Sequence, residues 1–439
     1  MIDVRRLPKN DKTCGWNAIL AERIPSKELQ GTHHYDWLII GGGYAGLAAA
    51  RNLAEKNPQA KIAILEACQI GENASGKNSG FAIDLPHYSE NNLLPKEIAS
   101  QEIELYRYAI NQLDTTIKNQ GIRCDWQKSG RYHAAVTKEV GDKILEKYRK
   151  NLDHWDEEYT YLERKTLKGE LGTDYYHSAI FTPGTYLLNP AALVRGLADS
   201  LPSNVDLYEN TPVLGFDFKS QNKSVVTPKG KVLFGKSIIA VNSFLQEFGL
   251  FKNRQVPIVL YASLTKPLEN SEIYKMGENP NWGITPAHGT VGSTLRFTQD
   301  NRLLMRHGFK YSPTLSENIN NLNYAKEKHI QLLANRFPEI KFELENTWMG
   351  WLSISNNHAP IFGKADEDIY VAACCNGSGI ARHTAAGYLI SDLALGEENP
   401  FIQNYLSNGI ASYLPPRPFL DIGIKFRTCL DIYKGKCEE

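Results

Sequence analysis

The stretch that most constrains this chain is an apolar run at residues 37–40 that leads directly into Gly41-x-Gly43-x-x-Gly46. The run predicts a strand buried on both faces, and residues 47–54, which are rich in small side chains, predict a helix. The three glycines permit a tight turn, a close approach of the backbone to a pyrophosphate, and close packing of the helix on the strand. The start of this helix, with its free amides and the positive end of its dipole, therefore predicts an anion site.

A second apolar run, residues 61–65, ends at Glu66, which lies 20 residues after Gly46. A βαβ dinucleotide site places a carboxylate near this position, where it binds ribose hydroxyls. Strand, glycines, helix, strand and acid follow one another within about 30 residues, as this fingerprint requires. The pattern predicts a bound dinucleotide, and a glycine-rich turn in an ordinary α/β domain is the alternative.

Length and charge limit the remaining possibilities. At 439 residues the chain is too long for one simple core and fits two closely connected domains. Its 49 basic and 49 acidic residues cancel, which gives no indication of nucleic acid or an anionic membrane as a partner. No apolar run reaches the roughly 18 residues that span a bilayer. The polar residues 1–31 lack the apolar core of a signal peptide. We therefore expect a cytoplasmic protein.

The seven cysteines form no CxxC pair and no even framework, and together with the scattered histidines they give no metal-ligand spacing. Free cysteine is among the residue types most often buried. We therefore expect buried reduced thiols, no structural disulfide and no metal site.

A second strand, glycine turn and helix follow one another at residues 369–394, with the turn at Gly377-Ser378-Gly379. A cofactor that becomes anionic on reduction would be stabilised at such a helix start by about 0.3 to 2 kcal/mol. A flavin gains this charge at its N1–C2=O edge, whereas a nicotinamide does not. The pair of glycine turns therefore favours FAD over NAD, although an ordinary helix start remains the alternative.

The rest of the chain alternates helical and strand patterns. Residues 1–35 predict an arm that packs over the surface, anchored by Trp16 and Leu20. Further helices are predicted at residues 92–120, ending at Gly121, at residues 138–165, after the Asn189 cap, and at residues 317–337. Strands are predicted at residues 122–136, 205–216, 225–241 (as a hairpin), 256–265 and 293–309.

Through these motifs the chain resembles the D-amino-acid oxidase superfamily of FAD-dependent amine oxidoreductases. The likeness is greatest to its gamma-glutamylputrescine oxidoreductase-like branch, with glycine and sarcosine oxidases as cousins. It spans nearly the whole chain, in the following order: Gly41 to Gly46, Glu66-Ala67, residues 71–80, Cys124 to Trp126, Ser129-Gly130, Asn189-Pro190, Ala240 to Asn242, residues 300–304, Ala359-Pro360, residues 377–380 and the tail at residues 415–418.

The resemblance implies an α/β fold in which a Rossmann-like FAD-binding domain is interleaved with a mixed β-sheet substrate domain. The implied FAD-binding segments are residues 36–90, 181–255 and 345–412, and the implied substrate segments are residues 91–180 and 256–344. Residues 413–439 form a C-terminal amphipathic segment. We expect it to pack on the FAD-binding domain; contact with a membrane surface is the alternative.

The resemblance also implies which residues hold the cofactor. The glycines of the first turn would hold the pyrophosphate, Glu66 the adenosine ribose, and the backbone of Val213 the adenine. The loop at residues 74–80 would run toward the isoalloxazine ring, whose pyrimidine end would meet residues 377–380. The implied set is Gly41, Gly43, Tyr44, Ala45, Gly46, Glu66, Ala67, Ala74, Ser75, Lys77, Asn78, Ser79, Gly80, Val213, Asn242, Gly377, Ser378, Gly379 and Ile380. Residues 346–355 lack the cysteine that carries the covalent flavin of sarcosine oxidases, so the resemblance implies non-covalent FAD.

The chain departs from the family pattern around the second turn. Many relatives have Gly-His-Gly where this chain has Ser378 between its glycines, and the cousins' carboxylate-binding lysine is replaced by Ala381, followed by Arg382 and His383. Arg382 either binds a substrate carboxylate through a bidentate pair or is a solvated residue of the first helical turn. Both interpretations stay open. Arg382, His383 and His358 are the candidate catalytic residues, and Phe81 and His87 are further candidates for the pocket.

The implied reaction is oxidation of a C–N bond in an amine or amino acid. A hydride would pass from the α-carbon to flavin N5, and the resulting imine would be hydrolysed. Electrons would then go to O₂ or to another acceptor. The alternatives are a flavin dehydrogenase that serves a quinone or a protein acceptor, and an NADPH-dependent flavin monooxygenase. We expect no nucleic-acid partner and no membrane partner.

Overall fold

The computed structural model describes residues 1–9, 11–86, 94–278, 280–406 and 409–439. Its first sheet has nine strands, five of which run parallel in the order β20, β13, β2, β3, β10. The strands of this sheet, numbered in chain order, are β1 (Ile2–Asp3), β2 (Gly31–Ile40), β3 (Ile62–Leu65), β10 (Val205–Tyr208), β11 (Gly215–Asp217), β12 (Ser224–Val226), β13 (Gly230–Ile239), β19 (Ile361–Asp366) and β20 (Ile369–Ala373).

The predicted βαβ unit is confirmed. Strand β2 leads through the glycine turn into helix α2 (Tyr44–Lys56), and β3 returns parallel to β2, with Trp37 opposite Ile62. A Cβ on Gly46 would lie 1.9 Å from the carbonyl oxygen of Gly41, so only glycine allows the helix to lie this close to the strand. The fold therefore contains the Rossmann-like half that the sequence predicts.

A second, eight-stranded sheet has the order β18, β14, β17, β16, β15, β6, β8, β7 and mixes parallel with antiparallel pairs. A small three-stranded sheet has the order β4, β9, β5. The strands of these two sheets are β4 (Phe81–Ala82), β5 (Gln127–Lys128), β6 (Arg131–Ala135), β7 (Thr160–Glu163), β8 (Ser178–Thr182), β9 (Tyr186–Leu187), β14 (Val256–Thr265), β15 (Gly283–Pro286), β16 (Thr294–Phe297), β17 (Leu303–Tyr311) and β18 (Leu344–Ile354).

Helices cover both sheets. The α-helices are α1 (Gly15–Ala18), α2, α3 (Ala74–Lys77), α4 (Lys96–Gln120), α5 (Lys138–Val140), α6 (Glu146–Trp155), α7 (Arg164–Leu171), α8 (Pro190–Asp199), α9 (Asn270–Ile273), α10 (Asn320–Arg336), α11 (Gly379–Leu395), α12 (Pro400–Tyr405) and α13 (Phe419–Gly435). A π-helical turn covers Gly141–Leu145, and 3-10 helices cover Asn242–Phe248 and Lys436–Glu438.

Several predicted elements are confirmed at their ends. Helix α4 ends at Gly121, which adopts a left-handed conformation with φ of 62°, and α8 begins at Asn189, whose side chain accepts from the amides of Ala191 and Ala192. The predicted hairpin is formed by β12 and β13, with Val226 opposite Lys231.

The single helix predicted for residues 138–165 is wrong, because the π-helical turn interrupts it and residues 160–163 form β7 on the edge of the second sheet.

A few buried side chains anchor the N-terminal residues. Trp16 is completely buried, and its indole N–H donates to the carbonyl of Asn78 at 2.8 Å. Arg23 forms an ion pair of 2.7 Å with the fully buried Glu209, which follows β10. Strand β2 begins at Gly31 rather than at residue 37. Most described residues of this segment are nevertheless exposed or half-buried, so Trp16 serves as the buried anchor that the sequence predicts.

The domain boundaries stay a prediction. Strand β18 pairs with β14 in the second sheet, although most of its residues fall in the segment assigned to FAD binding. The interleaving follows from this exchange of strands: the chain supplies β1 to β3 to the first sheet, leaves it after β3, and returns to it at β10 to β13 and again at β19 and β20.

The C-terminal segment contacts both the second sheet and a segment assigned to FAD binding. Its Asp421 accepts from the hydroxyl of Tyr311 at 2.7 Å, and Glu438 accepts from the amides of Val136 and Thr137. The amide of Leu414 also donates to the carbonyl of Asn253 at 2.8 Å, and the guanidinium of Arg254 lies over the ring of Tyr413. The expected packing of this segment on the FAD-binding domain stays a prediction. Phe419 and Phe426 of α13 are exposed. Within the ranges that the structure describes, no helix combines the length and apolar character needed to cross a bilayer.

Candidate functional site

A cleft opens where β2, β3 and β13 end and where the chain leaves β10. Ligands of open α/β sheets bind at this carboxyl edge. The cleft is lined by Val4, Arg6, Leu7, Pro8, Ile40, Gly41, Gly42, Gly43, Leu65, Glu66, Ala67, Gln69, Gly71, Asn73, Ala74, Ser75, Thr211, Val213, Ala240, Val241, Asn242, Ser243, Phe244, Phe248 and Trp351.

The glycine turn leaves no room for side chains on its inner side. Gly41 has φ of 103°, which other residues rarely adopt. A Cβ on Gly42 would lie 2.4 Å from the side chain of Ile70, and one on Gly43 would lie 2.6 Å from Oγ of Ser75. The bare backbone at the start of α2 therefore faces the cleft, and its first amides have no partner within the helix. This is the geometry of an anion cradle.

Glu66 lies beside this cradle. Its carboxylate accepts from the amide of Gly42 at 2.8 Å and from the amide of Cys68 at 3.1 Å. Burial raises the pKa of the Glu66 carboxyl, although the two amides act in the opposite direction. Its position on the floor of the cleft is the one that the sequence predicts for binding ribose hydroxyls.

Asn242 lines the cleft and binds the chain just before the second glycine turn. Its side-chain oxygen accepts from the hydroxyl of Ser353 at 2.8 Å and from the amides of Cys374 and Cys375 at 3.0 and 3.3 Å. These contacts hold the ends of β13, β18 and β20 together. Because Gly377 follows Cys375 by two residues, the second glycine turn starts at the margin of the cleft.

Helix α11 begins at Gly379, with Ser378 as its N-cap residue, and Gly377 has φ of 89°. The Ser378 side chain makes no capping hydrogen bond, so the amides of the first turn are not covered by it. A 17-residue helix starts here on bare backbone, as the prediction of a second glycine-rich helix start requires.

The three candidate catalytic residues are close together but deeply packed. Arg382 is only 3% exposed, and its guanidinium donates to the carbonyl of His358 at 3.0 Å and lies over the ring of Tyr405. The solvated first-turn interpretation of Arg382 is therefore wrong. Burial and the nearby Arg382 charge lower the pKa of His383 to about 3, and they also lower the pKa of His358. Both imidazoles are neutral at physiological pH.

The structure brings many of the predicted cofactor residues into one place. Eight of them line the cleft: Gly41, Gly43, Glu66, Ala67, Ala74, Ser75, Val213 and Asn242. Tyr44, Ala45 and Gly46 form the first turn of α2 directly above it. Residues 377–380 do not line it; they follow Cys374 and Cys375, whose amides donate to Asn242, and their cofactor role stays a prediction.

The second half of the predicted loop lies against the second sheet instead of lining the cleft. Lys77 forms an ion pair of 2.7 Å with Asp11, and its carbonyl accepts from the indole N–H of Trp348 at 3.0 Å. The Asn78 side chain closes the loop on Ser75 and Gly80. The backbone of this loop lies between the two sheets. Cofactor roles therefore stay predictions for Lys77, Asn78, Ser79 and Gly80. His87 lies outside the described residues, and the ring of Phe81 packs against Gly283.

Sequence reasoning missed the contribution of the N-terminus to the cleft. Val4, Arg6 and Pro8 line it because β1 pairs with β11, with Ile2 opposite Phe216. Trp351 also lines it, from the second sheet. A two-residue strand leaves no periodic signal in the sequence, so nothing in the pattern could have placed these residues.

The residues at the cleft fit an adenine dinucleotide. The start of α2 at the glycine turn offers a backbone site to a pyrophosphate, Glu66 offers a carboxylate to a ribose, and the apolar side of the cleft at Val213 and Val241 suits an adenine ring. A second helix start is held at the cleft margin by Asn242, where a flavin edge that gains negative charge would be stabilised.

The family model described as "FAD dependent oxidoreductase" (DAO) matches residues 36–393. The chain is 27% identical to gamma-glutamylputrescine oxidoreductase of Escherichia coli over 382 residues, which covers 83% of this chain and 85% of that protein. It is 26% identical to a probable oxidoreductase OrdL of Haemophilus influenzae over 384 residues, which covers 83% of this chain and 84% of that protein. The solved structure of glycine oxidase from Geobacillus kaustophilus matches the fold with a TM-score of 0.72 at 19% identity, covering 87% of this chain and all of that one.

Replacing Glu66 with glutamine is expected to raise the Kd for FAD by about 10- to 100-fold. At this position the two backbone amides and the ribose hydroxyls need hydrogen-bond acceptors. The glutamine carboxamide replaces one carboxylate oxygen with an NH₂ group, which donates and does not accept. The measurement is a titration of the flavin-free protein with FAD, followed by flavin fluorescence. Glu55→Gln on the exposed side of α2 is the control and should leave this Kd unchanged. An unaltered Kd in Glu66→Gln would show that Glu66 does not bind the ribose.

Proposed function

The chain belongs to the DAO family of FAD-dependent oxidoreductases, and from that premise we propose that it oxidises the C–N bond of an amine or amino acid. The product would be an imine, which water hydrolyses to an aldehyde or keto acid. The observation that carries the proposal is the pair of glycine-rich helix starts: the first lines the cleft, and the second follows Cys374 and Cys375, whose amides donate to Asn242 of the same cleft. FAD, bound without a covalent link, supplies the acceptor for the hydride that leaves the carbon bearing the nitrogen.

The residues of the chain would bind, orient and exclude water. The first glycine turn and Glu66 would fix the adenosine diphosphate half, and the start of α11 would favour negative charge at the far end of the cofactor. The second sheet would cover the reacting end, since the loop at residues 77–80 lies between the two sheets. Exclusion of water strengthens these electrostatic effects.

Arg382, His383 and His358 have positioning roles in this proposal. Arg382 holds the carbonyl of His358, and His383 stays neutral because its pKa is about 3. A neutral imidazole beside a guanidinium can accept a hydrogen bond, but it lacks the positive charge that would make it a strong proton donor. No general base is required if the amine enters unprotonated.

The acceptor side has two candidates. The first is O₂, which would make the protein an oxidase, and the second is a quinone or a protein, which would make it a dehydrogenase. The exposed apolar side chains of α13 support the second candidate, because a quinone or a protein acceptor could bind to them. We also propose a cytoplasmic location, since the seven thiols are free and five of them are buried.

The experiment is a panel of amines added to the protein with FAD bound, in air and with a dye acceptor. The panel contains polyamines, γ-glutamylated polyamines, N-methyl amino acids, D-amino acids and glycine. We expect one class to drive turnover. Peroxide in air then identifies an oxidase, and dye reduction without peroxide identifies a dehydrogenase. Turnover that needs NADPH would replace the proposal with a monooxygenase.

A further inference from the structure

Helix α13 carries an apolar stripe on the face that is turned away from the rest of the protein. Its members follow one another at intervals of three or four residues, which places them on one side of a helix. They are Phe419, Ile422, Phe426, Cys429 and Tyr433. The four large side chains among them are between 63% and 84% exposed. Exposed apolar residues ordinarily lie scattered, and a continuous row of them indicates a surface that binds something.

The opposite face of α13 holds the helix on the protein. The half-buried residues of this face are Leu420, Ile424 and Thr428. Near the start of the helix, the Asp421 carboxylate accepts from the hydroxyl of Tyr311 at 2.7 Å. At its end, Gly435 is buried, and a Cβ there would lie 2.4 Å from the side chain of Val291. Contacts at both ends therefore keep the apolar stripe turned outward.

Basic side chains border the apolar stripe on both sides. With 3.6 residues per turn, one margin of the stripe carries Lys425 and Lys436, and the other carries Arg427 and Lys434. All four of these side chains are exposed. Residues 417–436 contain five basic and two acidic residues, whereas the whole chain contains 49 of each. The balanced net charge of the chain therefore hides a positive surface at α13.

We infer that α13 docks the protein on a lipid bilayer whose surface carries anionic headgroups. Helices that lie in the interface of a bilayer combine an apolar stripe, which enters between the headgroups, with basic side chains that meet the lipid phosphates. The helix would lie along the bilayer and not cross it. This docking goes beyond the oxidation of an amine and does not depend on it. A quinone dissolves in the same lipid layer, so the docking also agrees with a dehydrogenase.

A second copy of the chain fits the apolar stripe less well. In a symmetric pair of α13 helices, the two stripes would meet with their basic margins side by side, and like charges in contact cost free energy. The two acidic residues of α13, Asp421 and Asp431, are half-buried and lie behind the margins. An anionic lipid surface supplies the negative charge that a second copy of the helix does not offer.

The test measures binding of the FAD-bound protein to lipid vesicles that are collected by centrifugation. One set of vesicles contains phosphatidylcholine alone, and the other also contains phosphatidylglycerol, which adds anionic headgroups. We expect binding to the anionic set and at least about 10-fold weaker binding to the first set. Binding to the anionic set should also weaken as salt is added, because salt screens the attraction of the basic margins.

Ile422→Ser/Phe426→Ser tests the contribution of the apolar stripe. The double variant should bind anionic vesicles about 10- to 100-fold more weakly than wild type, since two side chains that enter the bilayer are lost. Ile24→Ser is the matched control, because Ile24 is 91% exposed on the N-terminal segment. It should bind like wild type.

Lys425→Glu/Lys434→Glu tests the basic margins and should weaken binding to anionic vesicles by about 10- to 100-fold. Its control is Lys61→Glu/Lys231→Glu, which changes the net charge equally at two exposed lysines near the amino ends of β3 and β13. This control should bind like wild type. Flavin content and Tm should match wild type in every variant, since none of these residues lines the cofactor cleft.

Wild-type protein that does not bind anionic vesicles would overturn the inference. A second copy would then be identified as the occupant of the stripe by a dimer that Ile422→Ser/Phe426→Ser dissociates, and a monomer would leave the stripe to another protein. Equal binding to both sets of vesicles would also overturn the inference. So would a loss of binding in the two control variants as large as the loss in the α13 variants, because the attraction would then be general to the surface of the protein.

Discussion

Replacing Gly46 with alanine is expected to yield a chain that does not retain FAD and is destabilised by more than about 2 kcal/mol. The new Cβ would lie 1.9 Å from the carbonyl oxygen of Gly41 and 3.1 Å from its carbonyl carbon, and both atoms are backbone. Relief would require α2 to move away from β2, and this movement would pull the first-turn amides out of the cleft. Flavin absorbance of the purified protein and its free energy of unfolding in urea measure the two effects.

Gly423→Ala is the control for this substitution. Gly423 lies in the exposed helix α13, and a Cβ there would meet nothing within 4 Å. Replacing a glycine inside a helix is expected to stabilise the protein by about 0.5–1 kcal/mol. FAD content equal to wild type in Gly46→Ala would contradict the account of the close contact between strand and helix.

Replacing Arg23 with methionine is expected to lower the free energy of unfolding by about 3–5 kcal/mol. The substitution leaves the fully buried carboxylate of Glu209 without its cation, although the amides of Ser26 and Ile70 still donate to it. The side chain of Ile70 packs against Gly42, so a displacement of Ile70 that follows movement of Glu209 also disturbs the glycine turn. We therefore expect weaker FAD binding as well. Urea unfolding and titration with FAD measure the two changes.

Lys27→Met tests whether the large effect of Arg23→Met on the free energy of unfolding comes from the burial of the ion pair. Lys27 is also paired with an aspartate, Asp206, but both side chains are about half exposed. Loss of this pair should cost no more than about 1 kcal/mol. The double variant Arg23→Met/Glu209→Gln should recover part of the stability, because it removes the unpaired charge. Equal effects of Arg23→Met and Lys27→Met would show that the buried pair has no special role.

The nucleotide-binding half of the fold could be predicted from sequence because its signals are local. The strand, the glycine turn and Glu66 lie within about 30 residues and each has one physical function. The same holds for the cap at Asn189 and for Gly121 at the end of α4. The structure also confirms the second glycine turn, whose position near the first depends on Asn242.

The rest of the site depends on contacts between distant residues. The short pairing of Ile2 with Phe216 brings the N-terminus to the cleft, and no sequence pattern marks a strand of two residues. The predicted helix at residues 138–165 failed for a similar reason. Residues 160–163 are mostly polar and exposed, and pairing with β8 makes them a strand.

The measurement that tests the central claim most directly is single-turnover reduction of the bound flavin under anaerobic conditions by the amine that the panel identifies. The same amine is then used with deuterium on the carbon that bears the nitrogen. We expect complete bleaching, one aldehyde or keto acid released per FAD, and a slower bleaching rate with the deuterated amine. A flavin that stays oxidised with every amine, and that only NADPH bleaches, would contradict the account.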